Sequence, residues 1–458
     1  MNGPSLSTQC RQALLESLQS KFGRVSELRN QIHAKNSQTL HQISEWLDQE
    51  AGALLRPILR DQEVDGQFFE RIKQTVIEEL YSERLHPTLR ISHIPIAPPV
   101  CDTVHCLLFE QLPNAYNELF PLMLDSYISD LERYGEARRL VIAAHVDWLD
   151  GDNCIARGAF YSIEQDELIE APLECVLRFD SVHYLCISPK GHEAASRRLR
   201  TLNLKEVNPF PVSSIMDDKY ECCLKWLGRG VLTPRAALIK RGQHSSDDIQ
   251  QALRYLWDGL PPENALLVAQ PNRGTEGRGV KAFRLPDNQG ELFEHVQLII
   301  KKDDVLLRCG IEGAYLVHKE TYEKALFDIR VNVIYGVAES GYIQVAEKNA
   351  VIASPTQGGH IVEWKSLGQY FVEGVGGNAA IGSDLLKNIQ FAAVQAARAF
   401  GDQITAGVDL RLSLAEDQIF EAWVLDVNPR PAGLGRSCFW NSEPGVTNQL
   451  WFQLPSIE

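Results

Sequence analysis

Three residues with oxygen-bearing side chains lie inside apolar segments near the end of the 458-residue sequence. Asp409 lies in GVDLRL, and Asp426 and Asn428 lie in AWVLDVNP. A short polar turn separates the two segments, which predicts a β-hairpin, here called the acidic hairpin. Side chains two residues apart share a strand face, and cross-strand pairing can bring Asp409 beside the other two. Three oxygen ligands on one face suit Mg²⁺, which binds carboxylates and substrate phosphates.

An alternative interpretation is that these acids are solvated residues of an ordinary hairpin. Asp409 and Asp426 each lie between apolar neighbours, where a carboxylate without a partner would be costly. The sequence therefore favours the metal-binding interpretation over the solvated one.

A glycine-rich segment, LLVAQPNRGTEGRGVKAFR, spans residues 266–284 and is here called the glycine-rich hairpin. The loop between its two β-like runs contains Gly274, Thr275, Gly277 and Gly279. Strand–loop–strand differs from P-loop and Rossmann turns, which pass from a strand into a helix. The backbone N–H groups of such a loop can approach phosphate oxygens, and Arg273 and Arg278 add cationic donors at its edges. The alternative is a hairpin with no ligand.

Hydrophobic periodicity divides the chain into four predicted domains. Residues 1–95 have apolar positions at three- and four-residue intervals, which predicts a helical N-terminal extension. Residues 96–212 alternate β-like runs with helical segments such as 114–135, the pattern of an α/β domain. Residues 213–300 contain the glycine-rich hairpin, and residues 301–458 contain the acidic hairpin. The sequence therefore predicts an α/β (α+β) fold.

The composition argues against several classes of protein. The sequence has 60 acidic and 45 basic residues and a net charge of −15, whereas nucleic-acid binding needs a surplus of Lys and Arg. No apolar run approaches the length of a membrane span, and the N-terminal residues do not resemble a signal peptide. The ten cysteines have no repeated spacing and are expected to be reduced. We therefore expect a cytoplasmic protein without nucleic-acid or membrane partners.

The order of these segments resembles the ATP-grasp superfamily, close to ribosomal-protein glutamate ligases, glutathione synthetase and D-alanine–D-alanine ligase. The resemblance covers residues 213–435 and rests on DDKYECCLKWLGRGVLTPRAAL, QPNRGTEGRGV, FDIRVNVI and GVDLRL…VLDVNPRP. These are similar to the family's D-K…TP opening, its glycine-rich flap, its D-I-R strand and its closing metal-binding hairpin. The resemblance implies an ATP-grasp fold with a small subdomain at 213–300 and a large subdomain at 301–458. The α/β domain and the helical extension would precede it.

The resemblance also implies which residues bind nucleotide and metal. Lys219 would contact an ATP phosphate, and the loop glycines with Thr275 would form a flap over the phosphates. Asp409, Asp426 and Asn428 would hold two Mg²⁺ ions, or Mn²⁺, that bridge the phosphates.

Two arginines have catalytic roles in the same comparison. Arg330 would stabilise the acyl phosphate or the tetrahedral intermediate, where negative charge develops. Arg430, in NPRP, resembles an arginine that follows the metal-binding asparagine in some family members. The alternative for each is a surface salt bridge, which contributes about 0–1 kcal/mol.

The sequence departs from the family pattern at two positions. Gln270 stands where the family usually has a lysine on the strand before the flap, so that Arg273 or Lys281 would have to supply the charge. Asp426 stands where the family usually has a glutamate, whose side chain is one methylene longer and reaches further for bidentate bridging of two ions.

The implied activity is that of an ATP-dependent ligase. It would form an amide bond between a carboxylate and an amine, with amino acids or short peptides as substrates. The reaction would pass through an acyl phosphate and release ADP and phosphate, and a homodimer is compatible with the resemblance. The alternatives are a phosphotransferase acting on a hydroxyl group and a non-catalytic nucleotide-binding protein. The presence of all three predicted metal ligands argues against the last.

Overall fold

A computed structural model describes most of the chain between residues 37 and 430. The described residues are 37–59, 89–110, 138–150, 153–162, 167–185, 188–199, 204–242, 245–274, 277–348, 350–354, 357–363, 367, 369–373, 381, 383–402, 404–414, 420–430 and 438–439, with residue 76 and a few positions between 10 and 21. Thr275 and the helix predicted at 114–135 lie outside them. The chain separates into two compact units, one formed by Met1–Ser92 with Phe160–Glu170 and the other by His93–Ala159 with Ala171–Glu458.

The first unit contains helix α1 (Ser37–Leu59) and strand β1 (Leu89–Ile91), which pairs in parallel with residues 168–170. Apolar residues recur every four positions along α1, as in Ile43, Leu47, Ala51 and Leu55, and all four are buried. Because this spacing places them on one helical face, they form a small core with residues such as Leu14 and Leu18. The helical structure predicted for the N-terminal extension is thus confirmed for Ser37–Leu59.

The second unit begins with a mainly parallel sheet. Its strands, two of which extend into the first unit, are β2 (Thr103–Phe109), β3 (Arg139–His145), β4 (Cys154–Ser162), β5 (Glu167–Arg178), β6 (Ser181–Tyr184) and β7 (Lys205–Val207). A short 3₁₀ turn at Val146–Trp148 follows β3, and helix α2 (Pro189–Leu199) connects β6 to β7. β2 pairs in parallel with β3 and β6, and β6 pairs with β7. β6 is buried along its whole length, as expected of a parallel strand covered on both faces.

Two helices, α3 (Phe210–Met216) and α4 (Lys219–Leu227), lead into a four-stranded antiparallel sheet, here called the small sheet. Its strands are β8 (Ala236–Ile239), β9 (Ala265–Pro271), β10 (Lys281–Leu285) and β11 (Val305–Cys309). Helix α5 (Ser246–Trp257) lies between β8 and β9 in the chain, and helix α6 (Gln289–Ile299) lies between β10 and β11. One face, which includes Leu307, forms a core with α5 and α6. Leu306 has the opposite orientation and belongs to the core that contains α4 and the next sheet.

A second, mostly antiparallel sheet, here called the large sheet, completes the unit. Its elements are β12 (Tyr315–His318), β13 (Lys324–Ile334), β14 (Val337–Val345), β15 (His360–Glu363), β16 (Tyr370–Val372), α7 (Ser383–Arg398), β17 (Thr405–Leu414), β18 (Phe420–Asn428) and β19 (Cys438–Phe439). β13 pairs with β12, β14 and β17, and β17 pairs with β18. Tyr335 and Gly336 both have positive φ, which the two-residue turn between β13 and β14 requires.

The predicted α/β class is confirmed by these sheets and helices. The domain boundaries predicted at residues 95, 212 and 300 stay predictions. The cysteines whose side chains the structure describes, including Cys101 and Cys106, are free thiols. No helix within the described ranges combines the length and apolar character needed to cross a membrane.

Candidate functional site

The acidic hairpin forms as predicted from β17 and β18. Asp409 pairs directly with Asp426, and Gly407 pairs with Asn428. A register shift follows immediately between Asp409 and Leu410, so that an irregularity interrupts the ladder beside the acidic pair. The amide of Asn428 makes a long contact of 3.5 Å with Asp409 Oδ2. The three predicted metal ligands are therefore neighbours.

Arg330 lies on β13, directly opposite Asp409 of β17. Its Nε and one terminal nitrogen donate to the two carboxylate oxygens of Asp409 at 2.5 and 2.9 Å, and Gln344 Nε2 donates to Oδ1 at 3.1 Å. Burial opposes the charge of Arg330, but the neighbouring carboxylate outweighs it and raises the pKa of the guanidinium. Arg330 is thus a permanently charged group with a fixed orientation.

Lys219 is the first residue of α4, and Asp218 caps that helix by accepting from the backbone N–H of Glu221. The Lys219 Nζ atom donates to Asp426 Oδ2 at 2.6 Å, while the backbone N–H of Val427 donates to Asp426 Oδ1 at 3.0 Å. The cation predicted to contact phosphate and a predicted metal ligand therefore form one ion pair.

A second buried ion pair, which the sequence analysis missed, lies on the same face of the large sheet. Arg411 donates to both oxygens of Asp328 at 2.7 and 2.9 Å. Burial raises the pKa of Asp328, and Arg411 opposes this effect. A signal for the pair exists, because DIR on β13 and DLR on β17 repeat the pattern D-x-R. In antiparallel register that pattern places each aspartate opposite an arginine.

The glycine-rich hairpin consists of β9, β10 and the residues between them. Gly277 and Gly279 both have positive φ, +67° and +75°, a conformation that other L-residues adopt at a cost. Gln357 Nε2 donates to the carbonyl oxygen of Gly277 at 2.8 Å. At Gly274, a Cβ would lie 3.0 Å from the Cβ of Pro271, so a side chain there would be crowded. Glycine is therefore the residue that suits each of these described positions.

Asn272, which the sequence analysis also missed, attaches the base of this hairpin to α4. Its Oδ1 accepts from the backbone N–H of Tyr220 at 2.9 Å, and its Nδ2 donates to Asp218 Oδ1 at 2.9 Å. Arg273 donates to the other oxygen of Asp218 at 2.9 Å. Burial opposes ionisation of Asp218, but these hydrogen bonds outweigh it and hold its pKa below the usual range.

The two cations expected to supply the charge that Gln270 lacks, Arg273 and Lys281, are each paired with a carboxylate. Arg273 pairs with Asp218, and the Lys281 ammonium lies 2.9 Å from Glu291 on an exposed surface. A different cation, Arg308 of β11, contacts Gln270. With its amide oxygen facing Arg308, Gln270 accepts from Nε at 2.9 Å and from a terminal nitrogen. The signal in the sequence is an arginine inside the apolar run VLLRC.

Arg430 follows the acidic hairpin, but its guanidinium contacts other residues. One terminal nitrogen donates to both oxygens of Asp217 at 2.5 and 2.6 Å, and the other lies 3.4 Å from Nδ1 of His192. His192 is fully buried and stacks on Tyr184. Burial, assisted by Arg430, lowers the pKa of His192 to about 3. This geometry describes a positioned arginine, and its catalytic role stays a prediction.

The donor atoms of the acidic hairpin suit a hard cation. Within the described residues, no group of three or more His, Cys, Asp or Glu side chains is arranged to hold a metal. The predicted set instead combines two carboxylates with the amide of Asn428, all of them oxygen donors. Each oxygen of Asp426 accepts one hydrogen bond and keeps acceptor capacity, whereas Oδ1 of Asp409 already accepts two. The residues therefore fit Mg²⁺, with Asp426 as its most available ligand.

No protein-family model matches the chain, and no curated protein sequence is significantly similar to it. Solved structures are similar over about three quarters of the chain. They include D-cycloserine synthetase (14% identity, 72% of this chain and 93% of that one, TM-score 0.46). They also include D-alanine–D-alanine ligase from Bacillus anthracis (15%, 73% and 89%, 0.43) and the VanG D-Ala:D-Ser ligase from Enterococcus faecalis (13%, 76% and 94%, 0.42). One of these structures is thus a D-alanine–D-alanine ligase, one of the ligase types named in the sequence analysis.

Proposed function

We propose that this chain is a ligase of the ATP-grasp type, which uses Mg·ATP to join a carboxylate to an amine. The observation that carries the proposal is the direct pairing of Asp409 with Asp426, each bound by a different cation. Lys219 and Arg330 reach this acidic pair from α4 and from β13. Two fixed cations beside two carboxylates are suited to a phosphate chain and its metal.

The glycine-rich hairpin supports the same function. Asn272 connects its base to α4, the helix that begins with Lys219. Backbone N–H groups next to Gly277 and Gly279 can approach phosphate oxygens because no side chain intervenes. When bound, Mg²⁺ held by Asp409, Asp426 and Asn428 would offset charge on the phosphates.

The proposed reaction has two steps. A carboxylate oxygen of the first substrate attacks the γ-phosphorus of ATP, the bond to the β-phosphate oxygen breaks, and ADP leaves. The amine nitrogen of the second substrate then attacks the acyl carbon, phosphate leaves with the C–O bond electrons, and the nitrogen loses a proton. Arg330, held in a fixed orientation by Asp409, would stabilise the developing oxyanion, because a pre-oriented donor contributes most there. Amino acids or short peptides are the substrate class, and the cytoplasm is the compartment.

Nucleotide product analysis tests the proposal. The protein is incubated with Mg·ATP and pooled amino acids and small carboxylic acids, and the products are identified by mass spectrometry. ADP together with a condensed mass (acid plus amine minus water) supports the ligase. ADP with a phosphorylated alcohol supports a phosphotransferase, and AMP overturns the acyl-phosphate pathway. ATP binding without substrate-dependent turnover favours a non-catalytic nucleotide-binding protein.

Two variants test the metal-binding hairpin in the same assay. Asp426→Ala and Asn428→Ala are expected to lose ADP formation while the protein stays folded, because both remove an oxygen donor. The matched control is Asp258→Ala, which removes the exposed carboxylate that pairs with Arg235. Turnover in Asp426→Ala equal to that of the control would contradict the assignment of the site.

A further inference from the structure

Arg308 is a buried guanidinium, with 7% of its surface exposed, on β11 of the small sheet. It is paired in register with Val268 of β9, and Leu306, two residues earlier, is paired with Gln270. These four residues therefore share one face. Because Leu306 packs in the core that contains α4 and the large sheet, this face is the one turned away from α5 and α6.

The partners of Arg308 carry no charge. One terminal nitrogen donates to the carbonyl oxygen of Leu425, and the remaining described contacts are with the amide oxygen of Gln270. Within the part of the chain that the structure describes, no carboxylate lies at ion-pair distance from Arg308. Arg330 and Arg411, which are buried to a similar extent, each have both oxygens of an aspartate as partners.

A buried cation without a counter-ion is unfavourable, since neutral dipoles replace only part of the solvation that the charge loses. The position of Arg308 next to the proposed site indicates which anion balances its positive charge. Leu425 immediately precedes Asp426, and Gln270 lies two residues before Asn272 at the base of the glycine-rich hairpin. Arg308 thus contacts both segments that the proposed function assigns to phosphate and metal.

We propose that Arg308 binds an anionic oxygen of the nucleotide phosphate chain, with Gln270 orienting the guanidinium. The positive charge absent from position 270 on β9 is supplied by the neighbouring strand β11. This inference rests on the proposed function. It adds a phosphate-binding residue from β11, where the sequence analysis expected Arg273 or Lys281.

Calorimetric titration of the full chain with Mg·ATP, adenosine and tripolyphosphate tests the inference. Arg308→Gln removes the charge but keeps hydrogen-bond donors, and it is expected to weaken ATP and tripolyphosphate binding by about 10- to 100-fold. Adenosine affinity should change by less than about threefold, because adenosine has no phosphate. Arg308→Lys, which keeps the charge, should retain more of the ATP affinity than Arg308→Gln.

The double variant Gln270→Lys/Arg308→Gln returns a cation to the same face from β9. Recovery of ATP affinity in the double variant would show that charge at this position is what the ligand requires. The matched control is Arg284→Gln, an arginine of the same sheet whose partner is the exposed Glu312. This control should bind ATP like the unmodified protein.

The outcomes separate this inference from the proposed function. Unchanged ATP affinity in Arg308→Gln, or an equal loss for adenosine, overturns the role of Arg308 and leaves the ligase intact. If the unmodified protein binds tripolyphosphate through Arg308 but does not bind ATP, the anion site stands and the ligase fails. Binding of neither ligand by the unmodified protein overturns both.

Discussion

The large sheet and the small sheet differ in how their buried arginines are neutralised. On the large sheet, Arg330 and Arg411 each have an aspartate on the neighbouring strand as a bidentate partner. On the small sheet, Arg308 is equally buried but has only neutral oxygen atoms as described partners. Within one rigid ladder, alternating charges stabilise one another before any ligand binds. A cation without a carboxylate partner remains available for a ligand.

The difference suggests two roles for buried charge. Asp409 on β17 fixes the direction of Arg330 on β13 by accepting from two of its nitrogens, and Asp328 orients Arg411 in the same way. Such preorientation is what electrostatic catalysis requires, since the groups do not reorganise during the reaction. Arg308 would instead contribute affinity, and its desolvation would be offset only in the complex. A change to a buried pair of the large sheet should therefore lower mainly the stability of the protein. A change at Arg308 should lower mainly its affinity for the ligand.

The largest expected effect is on the large sheet, for Asp328→Asn. This change leaves Arg411 buried without a carboxylate and should lower the free energy of unfolding by about 3 kcal/mol or more. Denaturant titration measures it, with Asp258→Asn as the control, which removes a solvent-exposed pair and should leave the free energy of unfolding nearly unchanged. Equal losses in the two variants would show that the buried pair contributes no more to stability than the exposed pair. Replacing both partners, as Asp328→Leu/Arg411→Met, should recover much of the loss.

The next effect is a pH dependence of the stability, which arises from His192, the neighbour of Arg430. The pKa of His192 falls from its ordinary value of 6.5 to about 3 in the folded chain, so between these values the unfolded state binds more protons. Stability should therefore decrease as the pH falls below about 6.5, by up to about 1.4 kcal/mol per pH unit from this histidine. Thermal unfolding at pH 7 and pH 5 measures the change. His105, whose pKa is also lowered to about 3 by burial, adds to it.

A variant separates these two histidines. His192→Gln removes the group that would place a second positive charge 3.4 Å from Arg430. The decrease in stability between pH 7 and pH 5 should be smaller in this variant than in the unmodified protein. An identical decrease would assign the pH dependence to other groups.

An intermediate effect is expected at the connection between the glycine-rich hairpin and α4. Asn272→Ala leaves the partly buried N–H of Tyr220 without its acceptor and should cost about 1–3 kcal/mol in unfolding free energy. It should also weaken ATP binding, because the hairpin loses both side-chain hydrogen bonds that Asn272 makes to the start of α4. Asn288→Ala, whose side chain accepts an exposed hydrogen bond from the backbone of Arg284, is the control. If Asn272→Ala reduces stability without reducing ATP affinity, the attachment does not contribute to the site.

The smallest effect on stability is expected for Arg308→Met. Loss of its hydrogen bonds opposes the gain from removing an unbalanced charge, so the unfolding free energy should change by less than about 1 kcal/mol. The ligand response should change far more, because saturating ATP stabilises a protein only through the folded state that binds it. Thermal unfolding with and without Mg·ATP measures both. A destabilisation as large as that of Asp328→Asn would remove the contrast between the sheets.

Much of the fold was predictable because its signals are local. Apolar residues at helical spacing predict α1, and alternating or continuous apolar runs predict β9, β17 and β18. The pairing of Asp409 with Asp426 also follows from a short connection between two strands, since a hairpin restricts the register. These inferences need no information from distant parts of the chain.

The sequence by itself therefore determined the α/β class, the two hairpins and the neighbouring acidic residues. Tertiary structure alone decided which cation meets which anion. Lys219 meets Asp426 across 207 positions, Arg411 meets Asp328 across 83, and Arg430 turns to Asp217 across 213. It also brought Arg308, rather than Arg273 or Lys281, to Gln270. The physical reason is that helix and strand periodicity is set by neighbouring residues, whereas an ion pair depends on how separate strands and helices pack.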